Sequence, residues 1–224
     1  MCIRERNDGA FDIAGNTGNF ENIQTLNSGT GDDTLTGNDA VLEWLIDSSN
    51  AGSRGSLTFT GVENLVGGNL TDTFRFIEEG TLTHVNGGGG IGDHIILETL
   101  GNNTWQIDTL NGGRVVAYGH NTDVASDSPD ALQFSNIENL TGTSPVAATR
   151  IYTDAFRVTD DGQLGGVIDG GATLFDGNNT LTIANNNTTV DWYITAPNAG
   201  YAEESPAQDI IEFVNIQNLQ GSAN

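Results

Sequence analysis

The chain has 224 residues, with 30 acidic side chains against seven arginines, no lysine and a formal net charge of −23. That balance excludes unaided binding to nucleic acid and to an anionic membrane surface, because the electrostatic contribution has the wrong sign, and it favours cations around the protein. A single cysteine, Cys2, excludes an internal disulfide, and no apolar run is long enough to insert in a membrane as a helix.

Residues 1–17 read as a lead-in, since Met1-Cys-Ile-Arg-Glu-Arg-Asn-Asp8 lacks the apolar core of a signal peptide and stands outside any repeat. A seven-residue box follows, Phe20-Glu-Asn-Ile23-Gln-Thr-Leu26, and then a glycine–aspartate turn, Gly29-Thr-Gly31-Asp32-Asp33-Thr-Leu35. Trp44-Leu-Ile46 and an Asn50-Ala-Gly52 turn close the first unit. The box returns as Phe59-Thr-Gly-Val62-Glu-Asn-Leu65, ahead of an alternating run Asp72-Thr-Phe74-Arg75-Phe76, an acidic turn Glu78-Glu79-Gly80 and the glycines from Gly87 to Gly92. Trp105-Gln-Ile107 and Asn111-Gly-Gly113 lead to a long insertion before the third box, Phe134-Ser-Asn-Ile137-Glu-Asn-Leu140. The same order then recurs: Asp154-Ala-Phe156-Arg157-Val158, Asp160-Asp161-Gly162, Gly170-Gly171, Trp192-Tyr-Ile194, Asn198-Ala-Gly200 and the box Phe213-Val-Asn-Ile216-Gln-Asn-Leu219.

The boxes are 39, 75 and 79 residues apart, which gives units of about 18–58, 59–133 and 134–212 and a closing box at 213–221. Short β-branched and aromatic runs bounded by Gly, Asn and Asp clusters predict many short strands and few helices. Repeats at this period predict a stacked all-β solenoid, a parallel β-helix over residues 18–221, with several coils in each long unit. One coil buries too few apolar groups to offset the ordering of its backbone, so stacking is obligatory. The alternative is a string of small β-sandwich domains, one per unit. Either end of such an array would stack on neighbouring repeats or on further copies, end to end, because an uncapped end leaves strand edges open.

The run from Phe59 through Val62-Glu-Asn-Leu65 to Asp72-Thr-Phe74, together with Gly29–Leu35, resembles the repeats of large secreted bacterial surface proteins. These are the filamentous-haemagglutinin-like adhesins and exoproteins, some of which also carry glycine- and aspartate-rich calcium repeats. The resemblance spans most of residues 18–221. It implies a right-handed parallel β-helix at the cell surface, in a stalk or passenger region, with no ligand specified.

Three sets of residues are candidates for chemistry. Asp32, Asp33 and Asp72, each beside glycine turns, offer hard oxygen ligands for Ca²⁺. Arg114, Tyr118, His120, Asp123, Asp127 and Asp130 lie in the segment that varies in length between units, and a mixed set on a surface loop suits a glycan or other cell-surface ligand, or a metal. The acidic turns and the matching Arg75 and Arg157 recur with the repeat, which fits solvated turns and surface ion pairs better than one catalytic cleft. The three tryptophans, each two residues from an isoleucine, read as core positions, with sugar stacking as the alternative.

The expected function is therefore a non-catalytic structural or adhesive module outside the cell, a stalk, passenger or filament segment stiffened by calcium. Two other classes remain: a polysaccharide-active β-helix enzyme, which would gather acids and bases in one cleft, and a calcium-binding secretion or folding module.

Overall fold

The computed structural model describes residues 2–4, 8–13, 16–21, 23–77, 79–98, 101–116, 131–143, 152–159, 161–171, 178–184, 189–205 and 209–221. The regular structure of these residues is all strand, arranged in a 12-stranded and an 11-stranded sheet, both mostly parallel. The chain opens with β1 (Cys2–Arg4), β2 (Asp8–Ile13) and β3 (Asn16–Glu21), an antiparallel meander in the larger sheet. It crosses to the smaller sheet at β4 (Thr25–Asn27) and returns at β5 (Thr34–Thr36).

Counted from meander to meander rather than from box to box, the second unit begins in the smaller sheet with β6 (Leu42–Ser48), β7 (Ala51–Arg54) and β8 (Leu57–Thr60). From there the chain alternates between the sheets through β9 (Asn64–Val66), β10 (Asp72–Ile77), β11 (His84–Asn86) and β12 (His94–Glu98). The third unit repeats that order from the opposite sheet. Its meander is β13 (Asn103–Thr109), β14 (Gly112–Val116) and β15 (Leu132–Ser135), followed by β16 (Asn139–Thr141), β17 (Asp154–Thr159), β18 (Val167–Asp169) and β19 (Thr180–Ala184). A fourth meander, β20 (Thr189–Ala196), β21 (Ala199–Ser205) and β22 (Asp209–Val214), lies again in the smaller sheet, and β23 (Asn218–Gln220) in the larger.

The alternation has a simple cause. With each meander counted as one visit, a long unit visits the sheets five times, an odd number, so the next unit starts on the opposite sheet. Equivalent residues of successive units thus lie on opposite sheets. The antiparallel meanders differ from the run of parallel coils that the sequence predicts. The Asn-x-Gly turn is their first hairpin, and Asn50, Asn111 and Asn198 adopt left-handed φ values of 52°, 53° and 58° there, a region asparagine enters more readily than most residues.

Outside the meanders the ladders are parallel and put apolar side chains on apolar ones. In the smaller sheet Trp44, Phe74, Ile95, Leu140, Ile168 and Phe213 lie in register from strand to strand. In the larger sheet Trp105, Phe156, Leu181 and Leu219 do the same. Strict alternation drives this: in β10 and β19 every second side chain is buried, and each apolar one contributes about 1.5–3 kcal/mol by leaving water. A single hydrophobic cluster runs from Leu35 to Ile216 through all the units, rather than dividing into one core per unit.

Candidate functional site

The recurring box is the joint at which the chain leaves a meander for the opposite sheet. Its Phe ends the third meander strand with the ring inward, as Phe59, Phe134 and Phe213 show. Two residues on, the backbone turns left-handed at Gly61 (φ 70°), Asn136 (52°) and Asn215 (54°), which is why that position carries Gly or Asn. The buried Val62, Ile137 and Ile216 follow, each donating its N–H to the carbonyl of the meander's turn asparagine: Asn50 at 3.0 Å, Asn111 at 2.9 Å and Asn198 at 3.1 Å.

The acid or amide after them ties the joint to the backbone that enters a neighbouring strand. Glu63 Oε2 accepts from the Asp33 N–H at 2.9 Å, Glu138 Oε2 from the N–H groups of Gly92 and Asp93 at 3.0 and 2.8 Å, and Gln217 Oε1 from the Asn179 N–H at 2.9 Å. The second oxygen of each glutamate accepts from the turn asparagine side chain, Asn50 Nδ2 at 2.8 Å and Asn111 Nδ2 at 2.7 Å. Glu138→Ala would leave three donors without this acceptor, a loss of roughly 2–4 kcal/mol. Glu138→Gln, which restores the residue type found at Gln217, is expected to recover at least half of that in urea unfolding.

Behind the joints lies a column of buried polar groups that the core strands cover. Asp72 and Asp154 are equivalent, and so are Asp93 and Asn179; all four are at most 1 % exposed. The Asp72 N–H donates to Asp93 Oδ1 at 2.7 Å, and the Asp154 N–H to Asn179 Oδ1 at 2.8 Å. Asp72 Oδ2 accepts from the Gly68 N–H at 2.8 Å. Asp154 is held more fully, by Asn103 Nδ2 at 2.8 Å, the Thr143 N–H at 2.7 Å and the Trp105 indole N–H at 3.4 Å. Burial pushes Asp154 up to about 6 against those hydrogen bonds. Burial also pushes Asp93 up to about 6, and the neighbouring charges of Glu138 and Asp72 add to it. Asp72 is raised by burial too, with Gly68, Trp44 and Arg54 opposing.

The candidate calcium ligands do not form one site. Asp32 and Asp33 precede β5 in the larger sheet, whereas Asp72 opens β10 in the smaller. Asp32 is exposed and its Oδ1 accepts from Asn64 Nδ2 at 2.7 Å, while Asp33 is buried. Among the described residues no group of three or more His, Cys, Asp or Glu side chains converges to hold a metal. Of the loop candidates, Arg114 sits on β14 and donates to Gln106 Oε1 at 2.8 Å, with Asp108 at 3.8 Å. Tyr118, His120, Asp123, Asp127 and Asp130 lie outside the described residues.

Arg75 pairs with Glu43 at 2.9 Å and Glu98 at 3.5 Å, a ladder of surface charges across three strands. It borders a shallow groove of about 530 Å³ lined by Val41, Glu43, Leu45, Ser53, Gly55 and Arg75. Glu79 and Asp161 are exposed at their turns, and Glu78 and Asp160 lie outside the described residues. Trp44 and Trp105 are fully buried, whereas Trp192 is half-buried.

Two sets of working residues escaped the sequence reading. Glu63 and Glu138 stand in the box itself, where recurrence of an acceptor beside a turn was the available signal. Asp93 and Asn179 carried no such signal, because one is an acid and the other an amide in differently spaced glycine stretches. No helix among the described residues is long and apolar enough to cross a membrane. No protein-family model, no curated protein and no solved structure matches this chain.

Proposed function

We infer that the chain is a stacking module of a secreted bacterial surface protein, a right-handed parallel β-helix interrupted by meanders, with a structural or adhesive role rather than a catalytic one. One observation carries this reading. The residues that recur from unit to unit, the box, its glutamate and the turn asparagine, are spent on joining one coil to the next. A module selected for length and surface is expected to repeat its joints and to vary its loops. The outer faces, with their short polar side chains and the Glu43–Arg75–Glu98 ladder, would meet the surroundings, and the segment between β14 and β15 would supply the contact to a glycan or cell-surface ligand. Calcium would act at the Gly29–Asp33 turn, where Asp32 faces solvent.

The test is to incubate the protein with acidic and neutral polysaccharides, in chelator and in millimolar calcium, and to measure both retention and new reducing ends. Retention without new ends is expected, together with a melting temperature that rises saturably in calcium but not in magnesium. Sustained release of reducing ends, lost on replacing Asp123, Asp127 and Asp130 by Ala, would replace this reading with the polysaccharide-active enzyme.

A further inference from the structure

Each tryptophan of the Trp-x-Ile strands meets its own box phenylalanine edge-on. Ring centroids and interplanar angles are 6.2 Å and 70° for Trp44 on Phe59, 6.3 Å and 66° for Trp105 on Phe134, and 6.1 Å and 69° for Trp192 on Phe213. The first two are also covered face-on by an aromatic ring of the next coil. Phe74 stacks on Trp44 at 6.2 Å and 5°, and Phe156 on Trp105 at 5.4 Å and 15°. The covering strands share one pattern, Asp-x-Phe-Arg-(Phe/Val), and one register: β10 lays Phe74 on Trp44 and Phe76 on Ile46, and β17 lays Phe156 on Trp105 and Val158 on Ile107. Ile46 and Ile107 are wholly buried in consequence.

On β20 the same platform is built but not covered. It is the edge strand of the smaller sheet, and among the described residues no strand lies beyond it. Ile194, the equivalent of Ile46 and Ile107, is 62 % exposed, and among the described residues the face of Trp192 lacks the stacked ring its two counterparts have. An edge this long, apolar on its inner side and free of bulges or lysine beyond its hairpin end, invites a further strand. The charge pattern is also prepared: Arg75 of β10 pairs with Glu43, one residue before Trp44, and the residue one before Trp192 is the exposed Asp191.

We propose that β20 is a docking edge for a strand of the Asp-x-Phe-Arg-(Phe/Val) kind carried by another polypeptide. The strand adds in parallel, its Phe ring face-on upon Trp192, its second apolar side chain on Ile194 and its Arg beside Asp191. This rests on the reading of the chain as a stacking module and names the partner that its open edge would take.

The probe is a synthetic peptide of residues 69–80, and the signal is acrylamide quenching of tryptophan fluorescence in the intact protein. Trp44 and Trp105 are fully buried, so quenching reports on Trp192. A saturable loss of quenching is expected as peptide is added. Phe74→Ala in the peptide should weaken binding at least about tenfold, and Arg75→Glu should weaken it more at low salt than at high. Ile194→Asp in the protein, at a surface position where the melting curve checks folding, should abolish binding. An unprotected Trp192 at millimolar peptide would overturn the proposal, as would protection that follows protein concentration alone, which would make a second copy the occupant. Failure here would leave polysaccharide retention untouched, and turnover of polysaccharide would leave peptide docking untouched, so the two readings fail separately.

Discussion

Gly113→Ala is expected to destabilise the protein by more than about 4 kcal/mol, enough to leave much of it unfolded. A Cβ on Gly113 would lie 1.9 Å from Gln106 O and 3.0 Å from Phe134 Cζ. The first contact is with backbone of the paired strand, which cannot retreat without breaking the ladder at Ile107 and Gly113. The second is with the box phenylalanine, which faces Gly113 in register across β14 and β15 and carries the edge-on packing of Trp105. The need is one of space rather than of conformation, and it recurs: a Cβ on Gly52 would lie 2.1 Å from Leu45 O and 2.9 Å from Phe59 Cζ, and one on Gly200 2.1 Å from Tyr193 O and 3.0 Å from Phe213 Cζ. Urea unfolding checks the prediction, with Gly221→Ala as the near-neutral control, since nothing lies within 4 Å of a Cβ there.

Stability should fall, not rise, as the pH is raised from about 4 to 7. Asp93 and Asp154 each move from the ordinary 3.8 to about 6 in the folded protein, so the folded state holds their protons more tightly than the unfolded chain does. Between those values the folded state binds more protons, and stability declines with pH until the folded groups have ionised. For the fully enclosed Asp154 the decline is up to about 3 kcal/mol. Asp93 adds to the same decline. Below pH 4 the ordinary surface carboxylates protonate as well, and this window closes.

Asp93 is the group that separates this effect from relief of the overall negative charge. At the equivalent position Asn179 Nδ2 donates to the carbonyls of Gly170 at 2.7 Å and Asn215 at 3.2 Å. Asp93 Oδ2 occupies the corresponding place and has no hydrogen-bond partner in the structure. A Cβ built on Gly87 would lie 2.6 Å from Asp93 Oδ2 and 1.9 Å from Asn136 O, and one on Gly170 2.5 Å from Asn179 Nδ2 and 2.2 Å from Asn215 O. The pocket therefore asks for a donor, which a carboxylate supplies only when protonated. Asp93→Asn is expected to raise the melting temperature at pH 7.5 by about 3–6 °C, to change it little at pH 4, and to flatten the pH dependence between. A lower melting temperature at both pH values would show that Asp93 is needed as an anion. Salt distinguishes the remainder, because it screens the surface charge but not the buried column.

Much of the joint was legible because it is local. A box needs an inward ring, a left-handed residue, a buried branched side chain, an acceptor and an inward leucine within seven positions, and each need selects a residue type at a set spacing. Gly61, Asn136 and Asn215 show that selection directly through their φ values. The strands of the core were legible for the same reason, since alternation in Asp72-Thr-Phe74-Arg75-Phe76 needs no partner to be read. The candidate metal site was less so. Asp33 and Asp72 look alike in sequence, each beside glycines, but their strands enter different sheets, and proximity along the chain says nothing about that. The burial of Asp93 was equally hidden, because it comes from the neighbouring strands and from Glu138, 45 positions away.

The amino-acid sequence by itself determined the all-β character, the repeat, the joints and the strongly acidic surface, since each follows from side-chain chemistry at fixed local spacing. Only the tertiary structure decided that each unit, counted from meander to meander, opens with an antiparallel meander, that successive units start on opposite sheets, that four polar side chains are sealed behind the joints and that no ring among the described residues covers Trp192 as Phe74 and Phe156 cover Trp44 and Trp105. A strand's pattern sets which of its faces is apolar. What lies alongside it and over it is set by chain segments tens of residues away, through ladder hydrogen bonds that every backbone can make alike.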